Sequence, residues 1–146
     1  MVERFEKFTF AISEISRNWH KIAAEEMEKY GLKGPYAVYF TTLYREEDGI
    51  TAANLGELCG RDKSDVSRAV TLLETKGLII RESNQNRYRA LLKLTDEGKR
   101  IAEKINGVAM EVTEYVGRDL SPEHREIFYA CLDSIIANMQ SFTQKE

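Results

Sequence analysis

The sequence predicts a mainly α-helical chain with one small β-hairpin, and three observations carry that prediction. Apolar residues recur at steps of three and four along most of the 146 residues. Two short apolar runs at 78–82 and 88–94 flank the polar stretch Ser83-Asn84-Gln85-Asn86-Arg87, which has the make-up of a hairpin tip. Glycines and capping residues sit where helices must stop and start.

Phe5, Phe8, Ile12, Ile15, Trp19, Ile22, Met27 or Glu26, and then Tyr30 mark a long first amphipathic helix that Gly31 is placed to end. Gly34-Pro35 opens a second helix, Pro35 to about Glu46, because proline is tolerated in a first turn. Asp48-Gly49 is a turn signal, and Thr51 can cap a short third helix from about Ala52 to Cys59. Asp62 can cap a fourth helix running to about Lys76, with Gly77 as its stop. Leu78 to Glu82 and Tyr88 to Leu94 read as the two strands. Thr95 can cap a fifth helix with the stripe Ile101, Ile105, Val108, Val112 and Tyr115. Ser121-Pro122 starts the last helix, in which Ile127, Phe128, Cys131, Leu132, Ile135, Met139 and Phe142 are expected to face inward.

A two-stranded hairpin does not stand alone in water, so it must pack on the central helices. The result is a winged helix-turn-helix with long helices at both chain ends. Residues 1–146 read as a single chain in which 35–95 form the winged lobe. Residues 1–30 and 96–146 form a helical region expected to serve dimerisation.

Composition is that of an ordinary globular protein, 42% hydrophobic and 31% charged. The charged start and the lack of a long apolar run argue against a signal peptide and a membrane span, so a cytoplasmic location is expected. Cys59 and Cys131 are too few and too far apart for a disulfide framework or a zinc knuckle. The net charge of −3 hides a segregation. Residues 61–93 hold eight cations against four carboxylates, a net of +4, whereas the remainder holds thirteen against twenty, a net of −7. An acidic body with a basic middle suits a polyanionic partner.

Ala52 to Leu72 meets the physical demands of a helix-turn-helix. Close crossing wants a small residue, supplied by Gly56, and the sharp turn wants one tolerant of positive φ, supplied by Gly60. Val66, Ala69, Val70 and Leu73 form an apolar stripe on the second helix. Ser64, Ser67, Arg68 and Thr71 form a polar one on another face. Short hydroxyl side chains with one arginine suit a helix lying in a DNA major groove, where Arg68 can meet a phosphate or a guanine edge. Lys63 lies in the first turn, where free backbone N–H groups also attract phosphate. The plainer reading is a solvated helix face.

The stretch LGELCGRDKSDVSRAVTLLETKGLIIRESNQNRYRALLKLTDEGKRIAEKI resembles the core of the MarR family of transcriptional regulators. Three pieces carry the likeness: DKSDVSRAVTLLETKGLI for the recognition helix and first wing strand, LLKLTDEGK for the second strand and next helix, and LGELCG for the preceding helix. The resemblance implies a homodimeric, sequence-specific regulator of double-stranded DNA, usually a repressor, with no cofactor and no catalytic role. One departure stands out. The family's wing usually carries an aspartate and, two residues on, an arginine; here those places fall on Asn86 and Tyr88, with Arg87 and Arg89 flanking the second. Arg87 or Arg89 is expected to deliver the guanidinium to the minor groove or a phosphate from a shifted position.

In relatives the terminal helices interlock two subunits, so the partners expected are duplex DNA and a second copy of the chain. Small phenolic or carboxylate effectors bind between terminal helices and winged lobe in the family. Trp19, His20, Tyr36, Tyr39 and Phe40 are the candidates here, against the plainer reading of aromatic core. His20 and His124 lack neighbours at ligand spacing, so no metal site is expected. Cys59 reads as a buried structural thiol, and no cysteine lies in the first helix where peroxide-sensing relatives carry one. No nucleophile elbow, phosphate loop or zinc-protease signature is present. The competing class is a winged-helix module for protein–protein contact, with the polar stripe as solvent surface.

Overall fold

A computed structural model describes residues 1–83 and 89–144. Among them the chain forms α1 (Val2–Glu28), a short 3-10 turn (Gly34–Tyr36), α2 (Ala37–Arg45), α3 (Ala52–Cys59), α4 (Lys63–Thr75), β1 (Ile79–Glu82), β2 (Leu91–Leu94), α5 (Asp96–Val116) and α6 (Pro122–Thr143). The fold is mostly helical with one antiparallel hairpin, as the periodicities predict. It divides into two compact units, residues 1–107 and 108–146.

The first unit is organised around one core in which Phe40, Met27, Leu43, Leu55, Leu73, Ile79, Leu92 and Val70 are the largest fully buried side chains. These residues come from α1, α2, α3, α4 and both strands, so burial of apolar surface ties the hairpin to the helices. Gly31 at φ +66° and Gly77 at φ +70° stop α1 and α4 at the expected places. The second helix differs slightly from expectation. Pro35 lies in the 3-10 turn, and the α-helix proper begins at Ala37.

Both strands are shorter than the apolar runs suggest. They pair in the register Ile79↔Leu94 through Glu82↔Leu91. Ile50 adds a bridge that the sequence does not announce: its N–H donates to the Leu92 carbonyl at 3.2 Å, and its carbonyl accepts from Leu92 N–H at 2.8 Å. The connection after α2 is thereby sewn to the wing. Thr95 behaves as expected at the start of α5, accepting from Gly98 N–H at 3.1 Å.

In the second unit, Ser121 caps α6 by accepting from His124 N–H at 3.2 Å. Here the inward stripe requires correction. Ile127, Phe128, Cys131, Ile135, Met139 and Phe142 are exposed, Leu132 alone of the stripe is half-buried, and α6 contains no buried residue. Helical periodicity identifies an apolar face, not the surface that covers it. The first helix repeats the lesson, because Phe5, Phe8, Ile12, Ile15 and Trp19 are exposed while Met27 is fully buried.

Candidate nucleic-acid interface

The local sequence builds a rigid α3–α4 corner. Thr51 Oγ1 accepts from Asn54 N–H at 3.2 Å to start α3, and Gly60 takes the left-handed conformation, φ +63° and ψ 36°, to end it. A Cβ on Gly56 would stand 2.9 Å from Val66 Cγ2 and 3.0 Å from the Arg61 carbonyl, so only glycine permits this crossing distance. Asp62 Oδ1 then accepts from Asp65 N–H at 2.8 Å and starts α4.

On α4 the two predicted stripes separate cleanly. Val66, Ala69, Val70 and Leu73 are buried, which fixes the helix from behind. Lys63, Ser64, Ser67, Arg68 and Thr71 are all exposed on the opposite side. Arg68 is nevertheless engaged within its own helix. Its Nη1 donates to Ser64 Oγ at 3.0 Å, and its Nη2 forms an ion pair with the Asp65 carboxylate.

Beside this ridge lies a depression of about 350 Å³ where Arg61, Lys63, Ser67 and Arg81 surround an apolar floor that includes Val66 and Val70. Arg61 and Arg81 belong to the basic middle of the sequence but were not expected in the site. Arg81 reaches it because β1 runs alongside α4, and its Nε donates to Glu74 Oε2 at 3.0 Å. Sequence spacing carries no sign of that approach, since the turn at Gly77 decides it. On β2, Lys93 pairs with Glu82 at 2.9 Å. Arg89 is exposed at the wing, and Arg87 lies outside the described residues.

The aromatic candidates for an effector divide into two groups. Tyr39 and Phe40 are buried in the core, with Tyr36 half-buried and its ring 6.1 Å from that of Tyr39. Burial pushes the Tyr39 phenol up, with the Arg61 charge opposing it. Trp19 and His20 are exposed on α1. Cys59 is half-buried, its thiol 3.4 Å from Thr42 Oγ1, which suits a structural role. Among the described residues no three His, Cys, Asp or Glu side chains gather as metal ligands, and no helix is long and apolar enough to cross a membrane.

Residues 30–90 match the MarR family, a span that runs from just after α1 through α4 and β1. Over those residues this chain is similar to the MarR family. Solved structures of MarR proteins share its fold over nearly the whole length. A MarR-family regulator of Listeria monocytogenes in complex with 26mer DNA superimposes with a TM-score of 0.82 at 22% identity, over 90% of this chain and 87% of that one. The Staphylococcus aureus MepR–DNA complex gives 0.81 at 23% identity, over 90% and 97%. A MarR regulator of Methanosarcina mazei Go1 gives 0.78 at 24% identity, over 94% and 92%. The exposed α4 ridge is therefore displayed on a fold shared with these MarR structures.

Proposed function

We propose that this chain is a sequence-specific transcriptional regulator, a repressor and not an enzyme, that binds a pseudo-palindromic DNA duplex as a homodimer. The observation that carries the reading is the α4 ridge. Ser64, Ser67, Arg68 and Thr71 are exposed together, while Val66, Ala69, Val70 and Leu73 hold the helix from behind. Such a helix enters a major groove without unpacking anything. Arg61, Lys63 and Arg81 beside it supply positive charge for the sugar–phosphate backbone. The Listeria and Staphylococcus structures with DNA support the same assignment.

Dimerisation is supported by the extensive apolar faces that α1 and α6 each leave exposed. Two copies related by a two-fold axis would present their α4 helices to half-sites roughly 34–36 Å apart. Among the effector candidates, Trp19, His20 and Tyr36 are those an aromatic carboxylate reaches without opening the core. Such a ligand releases DNA only by binding one spacing of the two recognition helices better than the other.

A gel-shift titration on the DNA flanking the gene tests the assignment. Retardation that weakens steeply with salt is expected. No retardation at low salt would favour the protein–protein module instead.

A further inference from the structure

A carboxylate stands inside the ridge assigned above to DNA. Asp65 lies in the first turn of α4, half-buried, with its N–H tied to Asp62 Oδ1 at 2.8 Å. Its side chain holds Nη2 of Arg68, and Ser64 Oγ takes Nη1 at 3.0 Å. Arg68 is thus gripped from the preceding turn, while its side chain keeps 69% of its exposure. A guanidinium has five N–H donors in a fixed fork, so the remaining donors stay available for a bidentate contact.

The grip has two physical consequences. A long side chain already held in one rotamer loses less freedom on docking than a free one. A carboxylate beside the guanidinium also cancels much of its attraction for a phosphate, which carries full negative charge. A guanine edge offers neutral acceptors at O6 and N7, and the same carboxylate penalises that contact far less. Among the described residues Arg61 and Lys63 have no ion-pair partner, so they keep their full attraction for phosphate.

We infer that Asp65 is a specificity-determining positioning residue, which directs Arg68 to a guanine edge and away from the phosphate backbone. The inference rests on the DNA-binding reading. It assigns the ridge a division of labour: Arg68 reads sequence, and Arg61 and Lys63 supply affinity that is blind to sequence.

The test uses a duplex selected from a randomised pool by the wild-type protein, and a scrambled duplex of the same composition. For Asp65→Asn, binding to the scrambled duplex should tighten up to about fivefold, the scale of an exposed ion pair. The ratio of selected to scrambled affinity should fall by a similar factor, and the salt dependence should steepen by about one counterion. Asp65→Glu, which can still reach Arg68, should restore the ratio. In an Arg68→Ala background Asp65→Asn should leave the ratio unchanged, because Asp65 acts only through Arg68. An unchanged ratio for Asp65→Asn alone, or an equal loss on both duplexes, would overturn the inference while leaving DNA binding intact. If the wild-type protein enriches no duplex, the DNA-binding reading fails and this inference falls with it.

Discussion

Gly98 lies so close beneath the Leu78 carbonyl that a Cβ built on it would stand 2.1 Å from that oxygen. The same carbonyl accepts from Thr95 N–H at 3.0 Å, and Thr95 Oγ1 donates to the Gly77 carbonyl at 2.7 Å. The start of α5 is thereby clasped to the chain just before β1, which fixes the base of the wing relative to α4. Helix propensity favours alanine over glycine by about 1 kcal/mol, but a backbone oxygen cannot yield as a side chain would. Gly98→Ala should therefore destabilise the fold by about 1–3 kcal/mol or more. Urea unfolding measures this, and a variant as stable as wild type would refute the close contact.

At the α4 ridge proposed to face DNA, Arg68→Ala should weaken binding to a selected duplex by about 1–3 kcal/mol and relax discrimination at one base position. Lys63→Ala should weaken selected and scrambled duplexes alike. Fluorescence anisotropy on both duplexes separates the two patterns. Equal losses for Arg68→Ala would make Arg68 another phosphate contact.

Glu26, buried near the end of α1, gives the fold an acid-sensitive limb. Lys29 Nζ donates to its carboxylate at 2.5 Å and Tyr30 Oη at 3.0 Å. The Lys29 bond is the main cause of a pKa held below the ordinary 4.5; burial opposes it, and Tyr30 and the charges of Lys29 and Lys104 reinforce it. Because the folded value is depressed, this stabilisation is complete above the unfolded pKa and is lost as pH falls through the folded one. Glu26→Gln should flatten that loss. Melting temperatures between neutral pH and roughly pH 3 read it out, and parallel curves for variant and wild type would count against Glu26.

Ile135 is 38% exposed on α6, on the face that Met139 and Phe142 continue. A carboxylate at a position buried between copies costs several kcal/mol, whereas one facing water costs little. Ile135→Asp should leave the single chain folded, shown by unchanged circular dichroism, while shifting the assembly toward monomer. Light scattering that still reports a dimer would put the subunit contact elsewhere.

How far the sequence reaches depends on which residues carry the information. Asp62, Thr51, Gly60 and Gly77 act within one turn of themselves, so the caps and stops of α3 and α4 were legible from their identities alone. The split of α4 into Val66–Ala69–Val70–Leu73 behind and Ser64–Ser67–Arg68–Thr71 in front follows from a fixed helical period. The Ile50 bridge, the approach of Arg81 to α4 and the Gly98–Leu78 contact were not legible, because each joins residues whose separation is set by how elements pack. The stripe of α6 marks the boundary between the two kinds of knowledge. By itself the sequence determined the helices, the hairpin and the polar ridge, since local propensity and period suffice for those. Only the tertiary structure decided which apolar faces are covered and which cations converge, because burial and electrostatic neighbourhood depend on surfaces that distant segments bring together.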